Sequence, residues 1–396
     1  MKCAFFHDHK FLIKNDKVFS TGGLPNTAWD RYLRFFDEII VFGRKTDNQE
    51  EGVLSERENV SFTLFPEKNF FSSVLFRKKN LNNTINNILN SVDCAIIRLP
   101  SLVGYIVAKK CRRFKIPYAV EVVGCQWDSY WHYGNLKGKL LAPILYLKMK
   151  KEVRIATHAI YVTQYFLQKR YPSNGYVGNA SNVILHEQTD ATLKKRIKKI
   201  KTINQNLTIG LLANYNVKYK GFDVIIKTLS ILKKNGYLVN VKFAGSGTSH
   251  HITKLAQNLA VEKQVECIGL LKGDEVINFL DDIDIYVHPS KQEGLPRAVI
   301  EALSRACPVL ASSTGGIPEL VDDKYLHCPG DYKMLANQLQ QIIEGKYDLI
   351  SMAKRNFETG KDYSREKLNN KRNIFWKNFY EYTKKQKQFK SYVIFK

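Results

Sequence analysis

The sequence predicts an α/β protein built as two doubly wound parallel sheets, one in each half of the chain. Two observations carry this. Short apolar runs of the kind a buried parallel strand needs recur along the chain, and stretches of helical period separate them. The chain's 396 residues exceed what one core comfortably holds and suit two.

In the first half, strands are expected at Lys2–His7, Ile39–Gly43, Val60–Phe65, Asp93–Arg98, Tyr118–Val123 and His158–Thr163, all rich in aliphatic, aromatic or β-branched residues. Helices are expected around Trp29–Phe36, Ser101–Phe114 and Leu140–Ile155. The second series places strands at Leu207–Ala213, Asn240–Ala244, Val265–Gly269, Asp284–His288 and Pro308–Ser312. Its helices are at Phe222–Lys234, Ser249–Ala260, Glu275–Leu280, Arg297–Arg305 and Tyr332–Ile343. Alternation of this kind winds a parallel sheet with helices on both faces. Residues 1–200 form the expected first domain, 206–360 the second, and 361–396 a basic tail carrying Trp376, Phe379 and Tyr380. Between the halves, the charge run Leu193–Lys201 reads as a solvated face, in a linker or on a helix edge.

The formal net charge of +24 is unevenly placed. Residues 1–205 hold 33 Lys and Arg against 17 Asp and Glu; residues 206–360 hold 17 against 17; residues 361–396 hold 11 against 3. The basic surface belongs to the first half and the tail, which suits anionic partners: nucleic acid, a phospholipid surface or a lipid-phosphate substrate. Within it, Lys137, Lys139, Lys148, Lys150, Lys151 and Arg154 surround Leu140, Leu141, Ile144, Leu145 and Leu147. That pattern is a membrane-surface helix or a core-facing helix with a wet basic back. Seven cysteines without a Cys-x-x-Cys pair point to a reducing compartment and no structural zinc. The start reads as a strand rather than a signal peptide, and no apolar run reaches the roughly 20 residues of a membrane span.

Chemistry concentrates between His288 and Leu320. Glu293 and Glu301, with seven residues between them, flank a Gly294-Leu295-Pro296 turn that joins the strand Asp284–His288 to a helix starting at Arg297. In open α/β sheets, ligands bind beyond the carboxyl ends of strands, and helix N-termini there take phosphate with their unpaired N–H groups. This segment resembles the family-4 glycosyltransferases, retaining enzymes of the GT-B fold. The resemblance rests on Pro289-Ser290, the Glu293-to-Glu301 spacing with Gly294 and Pro296, Glu301-Ala302-Leu303, Pro308-Val309 and Gly315-Gly316-Ile317-Pro318-Glu319-Leu320.

The resemblance implies two Rossmann-like domains facing a central cleft, with the tail crossing back onto the first. It makes Glu293 the contact to the transferred sugar and Glu301 the holder of the nucleotide ribose. In Lys218-Tyr219-Lys220-Gly221-Phe222-Asp223, the family's Lys-Gly-x-Asp landmark falls on Lys220, which pairs with donor phosphates. Many members carry an Arg six residues earlier; here Asn214 stands there, and Lys218 is a candidate for the missing charge. Gly245-Ser246-Gly247 corresponds to a loop facing the cleft, and Ser20-Thr21-Gly22-Gly23 to a Gly-Gly loop at the diphosphate, though farther from the first strand than usual. No His matches the one many relatives place near the reacting sugar. His132 is a stand-in, and Asp128 either orients the acceptor or caps the next helix. Arg98, at a strand end, is a weaker candidate for an anionic acceptor.

The expectation is a metal-independent, retaining hexosyltransferase without cofactor, lying in the cytoplasm against the inner membrane. Its substrates would be a nucleoside-diphosphate sugar and a lipid-linked glycan or polysaccharide acceptor, in bacterial surface glycan synthesis. An epimerase of the same fold is the alternative among enzymes, and the Glu293/Glu301 segment speaks against it. A nucleic-acid-binding protein is the alternative from charge, but no helix-turn-helix, zinc-finger or RNA-binding aromatic motif supports it.

Overall fold

A computed structural model describes residues 1–47, 52–76, 78–131, 136–203 and 206–394. The chain divides into two compact units. The first comprises residues 1–127, 140–180 and 369–396; the second comprises 128–139 and 181–368.

The first unit has strands β1 (Lys2–Lys14), β2 (Lys17–Ser20), β3 (Glu38–Lys45), β4 (Val53–Leu54), β5 (Val60–Pro66), β6 (Cys94–Leu99), β7 (Tyr118–Val122), β8 (His158–Tyr161) and β9 (Tyr176–Asn179). Seven of them pair in parallel in the order β5-β3-β1-β6-β7-β8-β9. The middle strands are buried at their centres, at Cys3–Phe6, Cys94–Ile97 and Ala119–Val120. The first strand does not stop at His7. It runs to Lys14, turns through Asn15 and Asp16 in left-handed conformation, and returns antiparallel as β2. That hairpin accounts for the long separation between the first strand and Gly22-Gly23. The helix expected over Trp29–Phe36 is a 3-10 turn, Asn26–Trp29, followed by one short turn, Asp30–Leu33. The sequence reading missed the edge strand β9, whose residues are mostly outside the core.

The second unit has β10 (Leu207–Leu212), β11 (Val239–Ala244), β12 (Val265–Gly269), β13 (Ile285–His288), β14 (Val309–Ser312) and β15 (Leu326–His327), in the order β12-β11-β10-β13-β14-β15. All its pairings are parallel. This is the doubly wound order that reverses direction between the first and fourth strands. The helices Phe222–Lys234 and Tyr332–Ile343 fall where the sequence places them.

The break between units lies at 180/181, not near residue 200. The charge run forms the helix Asp190–Ile200, which belongs to the second unit. Arg196 is buried there and donates to the carbonyls of Leu280, Ile283 and Arg305, while Leu193 and Ile200 pack on Ala306, Ala353 and Phe357. The run is therefore more than a solvated face: the period of its charges hides an inward arginine. The tail is the helix Arg365–Ile394, and its residues from 369 on belong to the first unit. Phe375, Trp376 and Phe379 are buried, with Trp376 edge-on to Tyr32 at 5.2 Å and Phe379 to Phe36 at 6.2 Å. Among the described residues no helix is long and apolar enough to cross a membrane, and all seven cysteines are free.

Candidate functional site

The second sheet reverses winding between β10 and β13, which pair at Ile209–Ile285 and Gly210–Tyr286. Two loops leave their carboxyl ends. One spans 213–221 and feeds the helix Phe222–Lys234; the other spans 289–296 and feeds the helix Arg297–Ser304. The loops are tied together. The Lys291 N–H donates to the Tyr219 carbonyl at 2.7 Å, and the Gly316 N–H to the Gly294 carbonyl at 2.7 Å. Gly221 has φ +83°, and a Cβ there would stand 2.4 Å from the Pro289 carbonyl oxygen. Only glycine permits both that conformation and that approach. Gly245 works by space alone: a Cβ would fall 1.8 Å from the Ala213 carbonyl oxygen, and its N–H donates to Gly269.

This close-packed junction places Glu293 and Lys220 in contact. The Lys220 Nζ lies 2.6 Å from Glu293 Oε1, and His288 Nε2 lies 2.8 Å from the same oxygen. His288 is buried, and its Nδ1 is 3.3 Å from the Tyr286 hydroxyl, which in turn accepts from the Leu212 N–H at 3.4 Å. A carboxylate acceptor requires the Nε2–H tautomer of His288, which leaves Nδ1 to accept from Tyr286. Glu293 is 9 % exposed. Burial alone would raise its carboxyl, but the Lys220 ammonium and the His288 hydrogen bond outweigh burial and hold it at about 2. Burial likewise pushes the His288 imidazolium down, against the pull of Glu293. The site is an ionised carboxylate gripped by one cation and one imidazole, not a protonated acid.

Glu301 lies one turn into the helix Arg297–Ser304 and lines a groove of about 200 Å³ with Ile184, His186, Gly273, Ile277 and Ser304. Burial raises its carboxyl; Arg297, exposed at the helix start, and His186 oppose this. The two carboxylates of the motif thus occupy different electrostatic surroundings.

The other expected residues are placed as follows. Leu295 and Pro296 are buried in the turn, with Gly294 partly exposed. Asn214 does not stand in for a cation: its amide nitrogen donates to Ser246 Oγ at 2.8 Å and its oxygen accepts from the Asn216 N–H, so it fastens the loops after β10 and β11 to each other. Lys218 is exposed in the 3-10 turn Lys218–Lys220. In the first unit, the Gly22 N–H donates to Ser20 Oγ, which His9 Nε2 also meets at 2.7 Å. That N–H is engaged within its own turn. Asp128 stands in the first turn of the short helix Gln126–Trp131, where the Gln292 amide donates to the Asp128 carbonyl at 2.9 Å and accepts from the Ser129 N–H at 3.2 Å. His132 lies outside the described residues. Arg98 is mostly buried, 4.0 Å from Glu121. Among the described residues no three His, Cys, Asp or Glu side chains gather as a metal site requires.

Sequence reasoning sought a histidine in the first half and overlooked His288. The signal was present. A polar residue ending a buried strand, five positions before Glu293, must find a partner or remain an expensive orphan.

Residues 194–362 match the family model of glycosyl transferases group 1. Protein CapJ of Staphylococcus aureus is 33% identical over 351 residues, 87% of each chain. The capsular polysaccharide biosynthesis glycosyltransferase CapM, also from Staphylococcus aureus, is 26% identical over 212 residues, 50% of this chain and 56% of CapM. Among solved structures, Anabaena HepE in complex with UDP and glucose superposes with a TM-score of 0.63 at 17% identity, covering 93% of this chain and 97% of HepE. That likeness shows the GT-B fold for both units' sheets.

Proposed function

The chain belongs to the group 1 glycosyltransferases, and from that premise we propose that it moves a hexose from a nucleoside-diphosphate sugar to a lipid-linked or polysaccharide acceptor, retaining the anomeric configuration, in bacterial surface glycan synthesis. The carrying observation is the Lys220–Glu293–His288 contact across the winding reversal of the second sheet, with Glu301 on the adjoining helix. Chemically, transfer breaks the bond between the anomeric carbon and a diphosphate oxygen. The electron pair goes to the diphosphate. The acceptor hydroxyl attacks on the same face, and its proton passes to the departing phosphate oxygen. Lys220 is the fixed cation for the charge that develops on the leaving group. When a diphosphate draws on that ammonium, Glu293 keeps its His288 hydrogen bond and meets the sugar hydroxyls. Glu301 holds the ribose. Fixed cation and helix N-termini supply charge stabilisation that needs no metal. The relatives' capsular assignment favours a surface-glycan acceptor.

The test is a panel of nucleoside-diphosphate sugars with and without chelator, followed by NMR of the product's anomeric proton and carbon. Transfer with the donor's configuration, undiminished by chelator, is the expected result. An inverted product overturns the retaining reading. Activity lost in chelator and restored by manganese overturns metal independence. Interconversion of the nucleotide sugar without transfer would make the protein an epimerase.

A further inference from the structure

The helix Leu136–Ile155 carries one apolar stripe more than a core helix buries. A basic amphipathic stretch in a folded domain ordinarily puts its leucines inward and its lysines out. Here Ala142, Leu145, Met149 and Val153 are buried, a stripe at helical spacing that packs the helix down. The inward face also carries the helix's one acid, Glu152, which pairs with the Arg112 guanidinium. A second apolar stripe faces solvent. Leu136 is 75 % exposed, Leu140 67 %, Ile144 62 % and Leu147 63 %, with Leu141 and Ile155 at 45 % each. The positions 136, 140, 144, 147, 151 and 155 advance by four or three residues and so form one continuous row. Lys151 sits in that row and Arg154 beside it, both exposed. Lys148 is on the other flank, its ammonium 5.0 Å from the Tyr105 ring centroid.

We propose that this face docks on the surface of an anionic lipid bilayer, the helix lying in the interface plane. Contiguous exposed leucines are costly to leave in water and mark an interaction surface. The charge decides which one. The outward arc carries lysine and arginine but no carboxylate, and the helix's one acid is buried and engaged. Two copies meeting on this face would set Lys148, Lys151 and Arg154 against themselves. A headgroup layer of phosphates meets them with opposite charge while the leucines enter the acyl boundary. Lys151, inside the row, extends its methylenes along the apolar strip and keeps its ammonium at the headgroups. Of the basic residues that surround these leucines in the sequence, Lys150 does not join the face: it is half-buried, its ammonium 5.8 Å from the Tyr146 ring centroid. The inference stands apart from the catalytic reading, because lipid binding needs no donor, acceptor or turnover.

The experiment is co-sedimentation of the full chain with phosphatidylcholine vesicles, with and without phosphatidylglycerol. Three proteins are compared: wild type, a triple variant Leu140→Ser, Ile144→Ser, Leu147→Ser, and a charge variant Lys148→Gln, Lys151→Gln, Arg154→Gln. All six positions face solvent, so circular dichroism and thermal melting should match wild type and exclude misfolding. Wild type should bind the phosphatidylglycerol vesicles at least tenfold more tightly than the neutral ones, and salt should weaken it. The apolar variant should lose tenfold or more at any salt, and the charge variant should lose the preference for phosphatidylglycerol. Wild type that ignores anionic vesicles at low salt overturns the proposal, as does an apolar variant that binds like wild type. Lipid-independent self-association that the apolar variant abolishes would identify the face as a contact between copies and equally overturn it.

Discussion

The two sheets of this chain wind alike, yet their carboxyl ends use charge differently. In the first unit the polar residues at the reversal stand on the strands themselves: Asp8 on β1, Arg98 on β6 and Glu121 on β7. Asp8 and Glu121 bind neighbouring elements of the fold. Asp8 accepts from the Ser101 hydroxyl at 2.7 Å and from the N–H groups of Leu102 and Val103, securing the start of the helix Leu102–Arg113. Glu121 accepts from the Tyr32 hydroxyl at 2.6 Å. In the second unit the carboxylate and the cation stand on loops beyond the strand ends, and each reaches the other across the reversal. Winding order decides where a ligand can sit. Whether the charges there are structural or available depends on whether strand or loop carries them.

The sharpest way to break that contrast is Glu293→Gln. Turnover should fall at least about a hundredfold, as for loss of one transition-state stabiliser. Affinity for free nucleoside diphosphate should stay near wild type by calorimetric titration. Preserved turnover would place Glu293 with the structural carboxylates of the first unit. Its pH signature has a definite sign. The folded carboxyl lies at about 2, below its ordinary 4.5. Glu293 therefore contributes stability above about pH 4.5, and that contribution is lost as pH falls from there toward 2. Acid melts of wild type and Glu293→Gln should converge across that window.

Lys220→Met comes next. It should cost on the order of a hundredfold in turnover, and it leaves Glu293 with burial unopposed by its main cation. The acid limb of the pH–rate profile should then move up, because burial raises the carboxyl. A parallel drop with no movement of that limb would mean that the pair seen in the structure does not persist in the working enzyme.

Glu301→Ala should weaken nucleoside-diphosphate binding about tenfold, the effect of one or two hydrogen bonds to ribose. Equal loss of affinity in the Glu293 and Glu301 variants would sink the division of roles between them.

The smallest effect belongs to the first unit. Asp8→Asn removes one acceptor oxygen of the helix cap and should lower stability by about 1–2 kcal/mol in chemical denaturation. The folded fraction should turn over at nearly the wild-type rate. A turnover loss as large as that of Glu293→Gln would erase the contrast.

Local sequence settles the alternation of strands and helices in both halves, because burial on a parallel sheet writes an apolar run for every buried strand. It also settles the Glu293-to-Glu301 segment and the glycines around it. Spacing along one loop and helix is a local property. Tertiary structure alone decided the rest, and for one reason: the missing facts join residues far apart in the chain. That Lys220 grips Glu293, with 72 residues between them, follows from the pairing of β10 with β13. That His288 completes the grip depends on where its strand ends against the loop. The Arg196 anchor that moves the unit break to 180/181 depends on carbonyls more than 80 residues away. The helix Leu136–Ile155 shows the limit most clearly. It carries two apolar stripes of the same period, 142-145-149-153 and 136-140-144-147, and periodicity cannot say which faces in. Packing buries Ala142, Leu145, Met149 and Val153 and leaves Leu136, Leu140, Ile144 and Leu147 outside.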